Sequence, residues 1–252
     1  DLYQPGRYTE AETEASAAVR SRPRAETDVP LALTVAALSI GAQGRHTEAL
    51  AAYDEALPVF GRTLGADHRQ TLKLRSDRAQ RLAALGRYAE CEAECAAVVR
   101  AATCGTAPEM RLVAAAAGNG VVFALDAQRR HGDAEALARE ASAALGEPDR
   151  LGLALRLGLA RGLDGRVRVE EALTEAARAD ALHRGPPSEQ RGQKVGPGSV
   201  ELVAATALLG LRRDTEARVR TGSAHDACLA SFGPLHHRTV EARALLDRLD
   251  GA

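Results

Sequence analysis

A turn recurs along this chain and constrains its fold more than any other feature. Gly-Arg followed by an aromatic residue or His occurs at Gly6-Arg7-Tyr8, Gly44-Arg45-His46 and Gly86-Arg87-Tyr88. Counting from each Gly, small or apolar residues stand five, nine and twelve positions later. They are Ala11, Ala15 and Ala18, then Ala49, Tyr53 and Ala56, then Cys91, Cys95 and Val98. Steps of four and three hold such residues on one face of a helix. Weaker copies follow. Gly132 gives Leu137, Ala141 and Ala144; Gly165, with two extra residues, gives Ala172, Ala176 and Ala179. Arg212 stands in the last Gly slot and gives Ala217, Thr221 and Ala224. A second amphipathic stretch precedes the turns, as with Leu33, Ala36, Ala37 and Ile40 before Gly44. Starts at 6, 44, 86, 132, 165 and 212 have the spacing of helix–turn–helix repeats. Glycine at the turn admits the left-handed conformation that ends a helix.

The expected fold is all-α, a right-handed α-solenoid running over 1–252 as a single array. Its parts are a half-repeat at 1–30, repeats at 31–66, 67–105, 106–147, 148–184 and 198–233, and a capping helix at 236–250. Pro186, Pro187 and Pro197 with neighbouring glycines mark a loop at 185–198. Leu2-Tyr3 reads as the last turn of a helix whose beginning is absent. That leaves one face of the Tyr8–Arg20 segment to be covered by a parent protein or a partner, or to fray, and the open face could also drive self-association. Hydrophobic residues are 45% of the sequence but aromatics only 3%, with no Trp. The core must therefore be Ala, Leu and Val, which also suit helices. No stretch alternates as a strand would. A net charge of -1 gives no excess of positive charge for nucleic acid. The longest apolar run, Leu151 to Leu163, is broken by Arg156 and Arg161, so no membrane span is expected. Four cysteines at 91, 95, 104 and 228 fit no finger spacing and point to a reducing, cytoplasmic setting.

Two passages carry a family resemblance. One runs Leu64-Gly65-Ala66-Asp67-His68-Arg69-Gln70-Thr71-Leu72 into Leu85-Gly86-Arg87-Tyr88-Ala89-Glu90; the other is Phe232-Gly233-Pro234-Leu235-His236-His237-Arg238-Thr239-Val240. They resemble the connector and turn of tetratricopeptide (TPR) repeats, and more narrowly the kinesin-light-chain-like repeats of high-GC bacteria. Arg69 and His237 replace the connector proline, Asp77-Arg78-Ala79 replaces Asn-Leu-Ala, and about 105–200 is degenerate. The resemblance implies a protein- or peptide-binding scaffold or sensor module, regulatory in role, without a cofactor. In similar actinobacterial proteins such repeats often follow an ATPase or transcription-factor domain. The resemblance also implies a ligand groove lined by first helices: Lys73, Asp77 and Gln80 before Gly86; Asn119, Asp126 and Arg129 before Gly132; Arg156 before Gly165. Asp77 replaces an Asn that bonds the ligand backbone in similar repeats.

Other chemistry is sparse. Cys91 and Cys95 are one helical turn apart and could share a soft metal, but they occupy the packing slots of Ala49 and Tyr53, where thiols act as small hydrophobes. His225, Cys228, His236 and His237 form a dense set of metal-capable side chains without standard ligand spacing. No nucleophile elbow or phosphate loop is present, and Gly118-Asn119-Gly120 reads as a kink or break in an apolar segment. A small-molecule or metal-dependent activity on the same scaffold is the alternative to a binding module.

Overall fold

The computed structural model describes residues 7–20, 28–105, 107–145, 150–184, 197–234 and 236–251. Among these residues there are twelve helices and no strand. They are α1 (Tyr8–Arg20), α2 (Asp28–Ala42), α3 (His46–Thr63), α4 (Arg69–Ala84), α5 (Tyr88–Thr103) and α6 (Pro108–Ala127). Then come α7 (His131–Leu145), α8 (Arg150–Gly165), α9 (Val169–Arg184), α10 (Ser199–Gly210), α11 (Asp214–Phe232) and α12 (His237–Asp250). The chain divides into two compact units, 1–120 and 121–252. In the first, α1 packs on α2, α2 on α3, α3 on α4 and α4 on α5. In the second, α7 packs on α8, α8 on α9 and α10, α9 on α10, α10 on α11, and α12 caps α11.

One turn chemistry joins the helices of each pair. The first helix ends on a left-handed residue: Gly44 (φ 80°), Gly86 (φ 75°), Arg129 (φ 62°), Val167 (φ 61°) or Arg212 (φ 59°). The N–H of the next residue reaches back to a carbonyl in the last turn, as Arg87 to Leu82 and Arg130 to Leu125, both at 2.9 Å. The left-handed residue bonds back as well, Gly86 to Ala83 at 3.0 Å and Val167 to Asp164 at 2.8 Å. This double closure is a Schellman motif, which satisfies carbonyls that the helix end leaves open. The following Arg then pairs with an acid three residues on, in Arg45–Glu48, Arg87–Glu90, Arg168–Glu171 and Arg213–Glu216. That acid sits in the first helical turn, where the macrodipole favours negative charge.

The motif corrects two repeat starts. Arg129 and Val167, not Gly132 and Gly165, hold the left-handed position; Gly132 lies inside α7 and Gly165 ends α8. The packing slots after Arg129 are therefore Ala134 and Ala138, both fully buried, where Leu137 and Ala141 were expected. The Ala144 side chain lies outside those described. Ala172, Ala176 and Ala179 are fully buried as expected, because the two extra residues after Gly165 are the distance to Val167. Sequence reasoning looked for glycine, but the turn requires only positive φ. Other residues can meet it at about 1–2 kcal/mol each.

The core follows the repeat. Ala49, Tyr53 and Ala56 are fully buried, as are Ala217, Thr221 and Ala224; Cys91, Cys95 and Val98 are at most 1% exposed. Gly118-Asn119-Gly120 does not break the chain: α6 is helical from Pro108 to Ala127. Gly120 is there for closeness, since a Cβ on it would lie 2.6 Å from the Cys95 sulfur. By length and composition α6 could cross a membrane over Glu109–Ala127, contrary to the sequence expectation. Ala117, Val122 and Ala124 of this helix are fully buried in the protein, whereas Leu112 and Phe123 are exposed. Residues 1–6 and 185–196, which include Leu2-Tyr3 and most of the expected loop, lie outside the described residues. Gly198 (φ 74°) starts α10 from the end of that loop.

Candidate ligand-binding face

Within each pair the first helix sets a face in register with the turn. Thirteen, nine and six residues before Gly86 stand Lys73, Asp77 and Gln80; the same offsets from Gly44 give Leu31, Val35 and Leu38. Lys73 and Gln80 are exposed, and Lys73 Nζ lies 2.6 Å from Asp77 Oδ2. Leu31 is 65% exposed and Leu38 partly so. Since α2 and α4 touch, the first unit joins an apolar strip to a polar one. Asn119 is partly buried on α6, one residue before the equivalent of Asp77.

Of the other expected groove residues, Arg129 lies off the helix face, and Arg156 and Asp126 are engaged elsewhere. Arg129 is not on a helix face, because α6 ends at Ala127 and Arg129 forms the turn. Arg156 is turned to its own pair: its Nη1 lies 2.9 Å from Glu175 Oε2 on α9. Arg75 does the same with Glu94 on α5 at 2.7 Å, so an ion pair at this offset ties the two helices together. The groove register in α8 falls instead on Ala154, Gly158 and Arg161, and sequence reasoning missed Arg161 because it was anchored on Gly165. Asp126 Oδ1 is 2.7 Å from His131 Nδ1, across the α6–α7 turn. Nearby, burial and the Asp126 charge raise the Asp164 carboxyl above its ordinary value, with His131 opposing.

Successive pairs in the second unit are clasped by a buried carboxylate. Glu135 on α7 meets Arg139 at 3.0 Å, Arg166 at 2.5 Å and Arg168 at 2.8 Å. Burial pulls its pKa upward, but the three guanidinium groups outweigh this and hold it below the usual carboxylate range. Glu12 plays a similar part in the first unit, 2.8 Å from Arg45.

The metal-capable set divides. His236 caps α12, its Nδ1 accepting the Arg238 N–H at 3.3 Å, and its ring stacks on Phe232 at 4.2 Å. Cys228 donates to the Pro197 carbonyl at 3.2 Å, and burial pushes its thiol pKa up. His225 Nδ1 lies 3.3 Å from Asp226, and the His237 side chain is outside those described. Among the described residues no three His, Cys, Asp or Glu gather as metal ligands. The connector histidine is a helix cap in both places: His68 accepts from Gln70 N–H as His236 does from Arg238. Thr71 and Thr239 complete the motif, donating to Gly65 and Gly233 carbonyls at 2.8 and 2.9 Å. Cys91 donates to the Gly120 carbonyl at 3.9 Å, and the neighbouring Cys91 thiol together with burial pushes the Cys95 thiol up. A buried thiol so raised is a packing group.

Comparison with known proteins agrees with this geometry. Residues 28–93 match the tetratricopeptide repeat model. A comparison with curated proteins finds no match. The crystal structure of BtubC (BKLC) from P. vanneervenii is similar over 97% of this chain and 87% of that one, with 16% identity and a TM-score of 0.57. A tetratricopeptide repeat protein from Parabacteroides merdae aligns over 97% of this chain and 93% of its own, with 14% identity and a TM-score of 0.48. At 16% identity the likeness to BtubC is one of fold. Residues 28–93 are similar to tetratricopeptide repeats, and the chain as a whole shares the helix-pair fold of BtubC.

Proposed function

We propose that the chain is a protein- or peptide-binding module whose ligand lies on the face lined by α2 and α4. The observation that carries this reading is the shared register of Leu31 and Leu38 with Lys73 and Gln80, which puts apolar and polar side chains side by side on adjacent first helices. Tetratricopeptide repeats generally serve protein–protein interaction, and the match at 28–93 covers these helices. The Lys73–Asp77 pair leaves little net charge, so side-chain shape and hydrogen bonding would select the ligand more than long-range attraction. An extended peptide with an apolar residue over α2 and an amide or hydroxyl over Gln80 fits. The role is that of a scaffold or sensor, in a reducing, cytoplasmic setting that suits four free cysteines.

Selection from a displayed peptide library tests the reading. Selected peptides should lose binding to the Leu31→Ala and Gln80→Ala variants and keep it in a Glu55→Ala control on the exposed side of α3. Peptides that bind both groove variants as tightly as the parent would sink the assignment.

A further inference from the structure

The three turns of the second unit share an oddity. Arg129, Val167 and Arg212 hold the left-handed position, at φ 62°, 61° and 59°, where the first unit's turns use Gly44 and Gly86. Such a conformation is strained for any side chain and most unusual for a β-branched one. The turns are stacked. Gly165, two residues before Val167, has no room for a Cβ because the His131 ring fills the space. Gly210, two residues before Arg212, is closed in the same way by Val169. The strained residues therefore line one edge, at about 10 Å per step for packed helices.

Two backbone hydrogen bonds close each turn, but among the described residues no side-chain bond holds the three strained residues. Val167 is 82% exposed, the most exposed large hydrophobic among the described residues. Among the described residues, neither the Arg129 nor the Arg212 side chain has an ion pair or hydrogen bond. The other cations of the edge are taken: Arg130 by Asp133, Arg166 and Arg168 by Glu135, Arg213 by Glu216. Glu170 and Asp214 are exposed acids, but each lies in the first turn of its helix, where the positive end of the dipole offsets it. Arg129 and Arg212 are the cations of the edge left without an ion pair, one on each side of an exposed isopropyl group.

We propose that this edge docks an acidic, extended segment of a partner protein. An apolar side chain of the segment rests on Val167, and carboxylates on either side reach Arg129 and Arg212. About 20 Å separates the outer two turns at that helix spacing, which a segment in the polyproline II conformation covers in about six residues at about 3.1 Å each, with its first, fourth and seventh side chains on one face. The matching segment carries acids at its first and seventh positions and an apolar residue at its fourth. The surface is separate from the α2–α4 face, and either can fail without the other.

Fluorescence anisotropy with a labelled heptapeptide of that pattern, glutamate at both ends and leucine at the centre, tests the proposal. A glutamine-ended peptide and a short single-stranded RNA serve as comparisons. The glutamate peptide should bind, and the glutamine peptide at least about 5-fold more weakly. Arg129→Gly, Val167→Gly and Arg212→Gly should each weaken peptide binding while raising Tm by about 2–4 °C, because glycine relieves the turn. Binding lost as the fold is strengthened separates a docking role from a structural one. No binding of the peptide by the parent protein, equal binding of the two peptides, preference for the RNA, or variants that bind like the parent would each overturn the proposal.

Discussion

Gly120 and Cys95 should behave as one packing unit, so that two damaging substitutions repair each other. A Cβ on Gly120 would stand 2.6 Å from the Cys95 sulfur and 3.6 Å from its Cβ. Non-bonded atoms prefer roughly 3.5–4.0 Å, so Gly120→Ala forces α5 and α6 apart. Overpacking of this kind costs about 1–3 kcal/mol, and the better helix propensity of Ala returns about 1 kcal/mol. A net loss of about 0–2 kcal/mol is expected. Cys95→Ala removes a fully buried sulfur and should lose about 1 kcal/mol, as for a deleted methyl group. In the double variant the new methyl group occupies the space the sulfur left, and the alanine introduced on α6 keeps its helical advantage over glycine. Its stability should return to within about 0.5 kcal/mol of the parent, where addition predicts a loss of about 1–3 kcal/mol. Urea unfolding followed by circular dichroism measures all four proteins. Simple additivity would refute the close approach of α6 to the Cys95 face.

Three further outcomes are expected. Glu135→Gln should lower stability by about 1–2 kcal/mol in thermal melts, because three guanidinium groups lose their shared carboxylate; their partial exposure keeps the loss below that of a fully buried pair. Asp164→Asn should stabilise the protein at neutral pH. A carboxyl whose folded pKa is raised binds protons more tightly when folded, so its effect is absent below the unfolded value near about 4 and becomes a penalty as pH rises through the folded value. Melts of parent and variant should therefore converge at acid pH and separate toward pH 7; a constant offset would count against it. Thr71→Val, which removes the hydroxyl donated to the Gly65 carbonyl, should cost about 1 kcal/mol by the same melts, and Thr239→Val a similar amount, since both connectors use one motif.

The fold was legible because the turn and its packing slots are local. Gly44 and Gly86 announce themselves, and Ala49, Tyr53, Cys91 and Cys95 follow at fixed offsets into the core. The same logic read Cys91 with Cys95 as packing. It failed where the left-handed residue is not glycine. Nothing in the letters at Arg129 and Val167 reveals a positive φ; the nearby Gly132 and Gly165 drew the register to themselves. That error placed Arg156 on the groove when it belongs to the ion pair with Glu175. The break expected at Gly118-Asn119-Gly120 failed for a different reason. Glycine lowers helix propensity locally, but close packing against Cys95 fixes it in α6. The stacked row of Arg129, Val167 and Arg212 is a tertiary feature with no linear signature.

The most direct test of a ligand on the α2–α4 face is hydrogen–deuterium exchange, read by mass spectrometry, with and without a display-selected peptide. Binding should slow exchange chiefly in α2 and α4, the helices that carry Leu31, Leu38, Lys73 and Gln80. Protection confined to α3 and α5, with α2 and α4 unchanged, would contradict it.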